Sequence, residues 1–365
     1  MPTIANIAHH LEQLAPLSYQ ESYDNAGLIT GNPPAEVNGI LITLDAIEPV
    51  IDEAIALGCN LVVAHHPIVF SGLKKITGRN YVERVIIKAI KNDIALYAIH
   101  TNLDNVLNGV NAKISDKLGL LNRRLLVPKR NLLKKLTVFV PLADTQTLLD
   151  ALAGAGAGQI GNYSHCSFTV SGQGTFQPNE RANPYLGQRG QPERVAENRI
   201  EVIFPGHLEA QLLAAMRQAH PYEAVAHYVH LLENTHQEVG AGMVGELPTP
   251  LPETAFLQLL KDRFQLSVVR HTALRGRDVH RVAVCGGAGS FLLNHAIGAK
   301  ADFFVSADYK YHEFFDADGK IVIADIGHYE SEVCTKELLW EKLADTFPNE
   351  RIIISAVNTN PVNYF

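Results

Sequence analysis

The chain has 365 residues, with 31 basic and 38 acidic side chains, a net charge of −7 and 47% hydrophobic residues. That length allows two or three domains with sizeable cores, and no basic run offers the phosphate-neutralising stripe that non-specific nucleic-acid binding needs. No apolar run reaches membrane-spanning length, and MPTIANIAHHLEQLAP lacks the basic start and continuous apolar core of a signal peptide, so a cytoplasmic protein is expected.

Cys59, Cys166, Cys285 and Cys334 are scattered with no CxxC pair, which reads as reduced, buried thiols rather than a cysteine-rich zinc site. Ile4, Ile7, Leu11 and Leu14 recur at helical spacing behind Thr3 as N-cap. The His9-His10 pair falls on the polar side of that helix and is expected to be solvated. A βα rhythm follows: strands at 39–45, 61–64 and 94–100, and helices at 49–58, 81–93 and 111–120. Repeated βα units imply a largely parallel sheet with helices on both faces.

The character changes near residue 128. A strand at 134–141, a helix at 144–158, a Gly/Pro/Asn-rich stretch at 176–192, a strand at 198–205, a helix at 208–220 and a strand at 225–232 suggest a β-α-β-β-α-β unit, the ferredoxin-like pattern. GAGQIG (156–161) matches GxGxxG, but a helix precedes it, so a turn whose glycines supply positive φ is the better account than a dinucleotide site. The βα rhythm then resumes, with helices at 254–264 and 333–347 and strands at 281–287, 301–307, 321–327 and 351–357. The economical reading is one α/β domain, 1–127 and 247–365, split by an α+β insert at 128–246.

Three clusters stand where predicted strands end: His65 and His66 in LVVAHHP, His100 and Asp104 in IHTNLDN, and His328 and Glu332 in ADIGHYESE. Strand ends at one rim are where α/β sheets carry their sites. A helix beginning near His328 would set His328 and Glu332 on one face, with Glu330 pointing elsewhere. Imidazole nitrogen and carboxylate oxygen without thiolate suit Zn, Mn, Fe, Co or Ni. Adjacent residues on an extended segment point apart, so His65 and His66 fit two ions better than one, bridged by a carboxylate such as Glu332. CGGAGS (285–290), after a strand, could hold an anion on its N–H groups or simply form a tight turn, with Asp24, Asn25 and Gly27 near the same cleft.

YDNAGLITGN (23–32), AHHPIVF (64–70), HTNLD (100–104), CGGAGS, SADYKYHE (306–313) and DIGHYESE (325–332) together resemble the Nif-three-like family, the GTP cyclohydrolase I type 2 homologues. The resemblance implies a dinuclear metal centre with His65, His66, Asp104, His328 and Glu332 as ligands. It favours Asp104 over His100 and leaves His100 and His312 as proton-transfer candidates. It also implies self-association as a trimer or a homohexamer of two facing trimers. The insert, through GAGAGQIGNYSHCSF (154–168) and AHPYEAVAH (219–227), is similar to CutA/PII-like domains. The expected function is a two-metal hydrolase acting on a small anionic substrate, such as a nucleotide or a related phosphorylated or cyclic amide compound. The alternative is a non-catalytic oligomeric metal-binding regulator or scaffold with a ligand-sensing insert.

Overall fold

The computed structural model describes residues 1–365. The chain forms two compact units, one from residues 1–127 and 238–365 and the other from 128–237.

The larger unit contains a five-stranded sheet in the order Gly27–Thr30, Ala95–Ala98, Leu61–His66, Ile40–Asp45, Ile352–Ile354. All pairs are parallel except the edge strand Gly27–Thr30, which runs antiparallel to Ala95–Ala98. Leu61–His66 is buried along nearly its whole length because it lies in the middle of this sheet. Helices Glu48–Leu57 and Tyr81–Lys91 seal one face through Val50, Ile51, Ala54, Val85, Ile86 and Ala89, packed on Leu41 and Val62. Each fully buried aliphatic side chain of this kind contributes roughly 1.5–3 kcal/mol. The first helix ends where Gly58 takes the left-handed conformation (φ 66°), so the chain can turn back into the next strand. Register places Asp45 beside His66 at the C-terminal rim.

A second sheet of six strands runs Arg270–His271, Val322–Asp325, Phe303–Ala307, Asp278–Ala288, Thr235–Pro252, Leu121–Arg130. Its three central strands from Asp278 to Asp325 are parallel, and their apolar runs fill a core around Ala283, Phe304 and Ile323. Residues 238–246 belong to this larger unit rather than to the insert, because Met243 to Glu246 pair with Val284 to Arg281. The α/β class with helices covering parallel strands is the one that the βα rhythm predicts.

The first helix, Ile4–Leu14, carries the Thr3 capping box. His9 is exposed, but His10 is half-buried, its ring edge-on to Phe347 at 5.4 Å. The solvated reading therefore holds for His9 alone: the helix turns His10 far enough to meet an aromatic neighbour distant in sequence. Cys59, Cys285 and Cys334 are buried free thiols, and Cys166 is half-buried.

The smaller unit, 128–237, is a four-stranded antiparallel sheet in the order Phe168–Phe176, Glu193–Pro205, Leu133–Pro141, His227–Leu232. Helices Thr145–Gly154 and Glu209–Ala219 pack through Leu148, Leu152, Leu212 and Met216 onto Leu136, Val138, Ile200 and Phe204. The strand Phe168–Phe176 has no counterpart among the expected elements: FTVSGQGTF is almost wholly exposed, so it lacks the apolar alternation that marks a half-buried strand. Gly156, Gly158 and Gly161 have φ of 93°, 77° and 56°, the positive values expected of GAGQIG as a turn.

Candidate metal centre

The functional rim is assembled from both sheets of the larger unit. His65 and His66 end the strand Leu61–His66, Asp104 closes the short helix Thr101–Asp104, and His328 and Glu332 span the helix His328–Glu332. The four-residue spacing puts His328 Nε2 3.0 Å from Glu332 Oε2. His66 Nε2 reaches the same oxygen at 3.0 Å and lies 3.3 Å from His328 Nε2. His65 Nε2 faces the other way, 3.7 Å from Asp104 Oδ1 and 3.9 Å from Glu332 Oε2. Donor atoms come together in three triplets, His65 with His66 and His100, His66 with His328 and Glu332, and His65 with Asp104 and Glu332; the last two share Glu332.

Each histidine is oriented by its other nitrogen. His65 Nδ1 donates to the carbonyl of Ile99 (2.8 Å), His66 Nδ1 to Asp45 Oδ1 (2.7 Å) and His328 Nδ1 to Asp308 Oδ2 (2.7 Å). Each acceptor holds a proton on Nδ1 and turns Nε2 inward, an outer-shell pattern typical of metal-ligating imidazoles. In His65, which is fully buried and whose pKa burial pushes down, Nε2 is then a bare lone pair. His65 Nε2 and Asp104 Oδ1 are buried without any hydrogen-bond partner. Two such atoms facing each other would cost free energy unless a cation joined them, so the residues fit a divalent metal.

The charges agree. Burial and then the Glu332 carboxylate push Asp104 well above the usual carboxylate range. Burial alone would also raise Glu332, but the imidazoles of His328 and His66, each 3.0 Å from its Oε2, hold it well below. Burial opposes a charge on His66 and His328, yet Asp45 and Glu332 lift the first to about 9, and Asp308 and Glu332 lift the second to about 11. Without metal the rim holds protons where positive charge is wanted; a cation would take their place.

His100 caps the helix Thr101–Asp104 and lines the same pocket, its Nδ1 bonded to Asp24 Oδ1 at 2.7 Å. Burial would raise Asp24, but hydrogen bonds from His100 and Thr101 outweigh it and hold the carboxyl at about 2. His312 is placed elsewhere: it is exposed on the 3-10 turn Tyr311–Ala317, among the rings of Tyr311 and Phe315, and is not part of the pocket lining. Of the two proton-transfer candidates, His100 therefore lines the pocket, whereas the turn presents His312 to solvent.

The CGGAGS glycines serve the centre differently from an anion cradle. The Gly286 and Gly287 N–H groups are taken by Asn111 Oδ1 and Ser331 Oγ, both at 3.0 Å. Gly287 has φ 60°, and a Cβ there would collide with Glu332 Oε1. The turn is glycine so that backbone can close against the shared carboxylate.

Two orienting residues escaped the sequence reading. Asp45 carried a faint signal, an acid ending a strand next to the His66 strand. Asp308 lies in SADYKYHE, four residues before His312, and its left-handed φ of 59° is a tertiary fact.

A split α/β unit whose strand ends converge on three imidazoles and two carboxylates defines a candidate metal-binding α/β protein. The family model for Duf34/NIF3 (NGG1p interacting factor 3) matches residues 2–361, and the chain belongs to that family. It is 37% identical over 359 residues to a Bacillus subtilis protein named GTP cyclohydrolase 1 type 2 homolog, covering 97% of this chain and 96% of the relative. Among solved structures it is similar to a Bacillus cereus protein related to NIF3, with TM-score 0.88 and 38% identity over 100% of this chain and 99% of that one. A Staphylococcus aureus protein gives TM-score 0.79 and 28% identity over 100% and 99% of the two chains.

Proposed function

We propose that the rim holds two divalent metal ions and that the protein is a metal-dependent hydrolase of a nucleotide or a related phosphorylated or cyclic amide compound. The observation that carries this reading is the division of donors into two triplets sharing Glu332, with His65 Nε2 and Asp104 Oδ1 buried and unpartnered. His66, His328 and Glu332 would hold one ion and His65, Asp104 and Glu332 the other; Zn, Mn, Fe, Co and Ni suit this donor set. Paired ions supply Lewis acidity toward water and neutralise developing negative charge.

The chain's own residues supply the rest. Asp24 holds His100 Nδ1, leaving Nε2 as the ring nitrogen that can take or give a proton at the pocket. The pocket has a volume of about 910 Å³, room for an organic substrate, and Tyr23, Phe70 and Phe291 give it planar apolar walls. The name of the Bacillus subtilis relative, GTP cyclohydrolase 1 type 2 homolog, points the same way. The test is metal analysis of protein purified without added metal, followed by a hydrolysis screen of nucleotides and phosphoesters with wild type and Glu332→Ala. Less than one ion per chain, or hydrolysis undiminished in Glu332→Ala, would overturn it.

A second reading is a non-catalytic, cytoplasmic, oligomeric metal-binding regulator with a PII-like insert. It is favoured by the insert's two helices on one face of an all-antiparallel four-stranded sheet, with the first strand of the unit between the third and the fourth, as in ferredoxin-like domains. Light scattering tests the proposed trimer or homohexamer, and a metal-loaded protein inert toward every substrate screened would favour this reading.

A further inference from the structure

We infer that the smaller unit carries a binding site of its own, a cleft on the open face of its sheet that takes a small organic cation with an aromatic or apolar body. The cleft encloses about 610 Å³. It stands apart from the metal reading and rests on different residues.

Alternation along Glu193–Pro205 sends Ile200, Val202 and Phe204 under the helices and Glu197, Arg199 and Glu201 to the opposite face. A carboxylate on an open sheet face should be hydrated, yet Glu197 is only 8% exposed. The loop after helix Glu209–Ala219 covers it: Tyr222 lies over the strand and donates its hydroxyl to Glu197 Oε1 at 2.8 Å. The partner is a neutral phenol, and Arg199, next on that face, is engaged by Glu201. His220 is no counter-charge either. Its Nε2 donates to the Phe139 carbonyl (2.8 Å) and its Nδ1 accepts from the Tyr222 N–H (3.1 Å), which is the neutral tautomer. A buried carboxylate without a cation is costly unless something positive comes to it.

The cleft is shaped to admit such a group. Gly172 lies opposite Glu197 in the ladder with open space around it, and a Cβ at Gly174 would collide with Glu197 Oε2, so Gly174 leaves that oxygen its space. Phe176, Tyr185 and Tyr222 wall the opening, with ring centroids 6.0 Å apart for Phe176–Tyr222 and 6.2 Å for Tyr185–Tyr222. Aromatic faces attract cations and stack on planar bodies. Carboxylate below and rings around select an ammonium or guanidinium on an apolar stem over an anion or a neutral analogue.

The experiment is calorimetric titration of the full-length protein with 2-phenylethylamine, 2-phenylethanol and phenylacetate. The amine is expected to bind at least about tenfold more tightly than the alcohol and the acid, the scale of one charge-assisted hydrogen bond. Glu197→Gln should erase that preference while leaving alcohol binding intact. Equal binding of amine and alcohol by wild type, no amine binding at millimolar ligand, or a preference that survives in Glu197→Gln would overturn the inference. If Glu197→Gln does not fold, Tyr185→Ala, at an exposed wall position, should weaken amine and alcohol together, and unchanged affinity there would overturn it equally.

Discussion

Glu332 Oε2 meets His66 Nε2 at 3.0 Å although the two residues are 266 positions apart. This contact joins the rims of two sheets, and one carboxylate belongs to two of the donor triplets. Removing it should therefore affect more than removing any one histidine. Glu332→Gln, nearly isosteric, is expected to lower metal content by more than half, whereas His65→Ala should remove no more than about half. Elemental analysis of the two variants decides, and equal losses would argue against a shared ligand.

Metal should also stabilise the fold, because the two halves of the larger unit are tied at this rim. Ligand at 1,000 times its dissociation constant adds about 4 kcal/mol. Chelation is expected to lower the melting temperature of wild type and to leave metal-poor Glu332→Gln almost unmoved. A wild-type melting curve indifferent to chelator would contradict this.

Asp45 and Asp308 touch no other donor of the two triplets, but they hold the Nδ1 atoms of His66 and His328. Asp45→Ala and Asp308→Ala are expected to weaken metal binding by about 10- to 100-fold while leaving the ligands in place. Competition with a chromophoric chelator measures this directly. Thr359, whose hydroxyl bonds Asp45 Oδ2 at 2.6 Å, should show a smaller effect as Thr359→Val.

Gly287→Ala tests the close approach of backbone to carboxylate. The left-handed φ costs an alanine about 1–2 kcal/mol, and the new methyl would displace Glu332 as well. Loss of metal in a variant that still melts cooperatively is the expected result. Gly119→Ala, also at positive φ but with open space around its Cβ, should keep its metal.

Glu83 makes a pH prediction for the loop that follows the His65-His66 strand. Its carboxylate accepts from the Thr77 N–H, the Arg79 N–H and the Thr77 hydroxyl, and these bonds hold its pKa below the usual value. A depressed carboxylate contributes stability that is present above the unfolded pKa and is lost as pH falls through the folded one. Protection of the Thr77 and Arg79 amides from hydrogen exchange should thus be intact at neutral pH and fade below the ordinary glutamate range. Glu83→Gln should loosen them at neutral pH. Protection that is indifferent to both changes would remove this account of the loop.

Much of the centre was legible in the chain. LVVA is apolar on both sides, which only a covered parallel strand tolerates, and that placed His65 and His66 at a strand end. The His328/Glu332 spacing needed nothing beyond helical geometry. Other features carried no local signal: Phe168–Phe176 is exposed, so no hydrophobic period betrays it, and one aspartate at a strand end looks like any other.

By itself the sequence determined the parallel α/β class, the strand ends that bear the candidate ligand residues and the spacing within each cluster, because these follow from local period and burial. Only the tertiary structure decided which cluster faces which. The register that sets Asp45 beside His66, the approach of Gly287 to Glu332 and the turn that leaves His312 in solvent depend on sheet order and on contacts between residues far apart in the chain. Such contacts are settled by packing the whole core, and no window of sequence contains them.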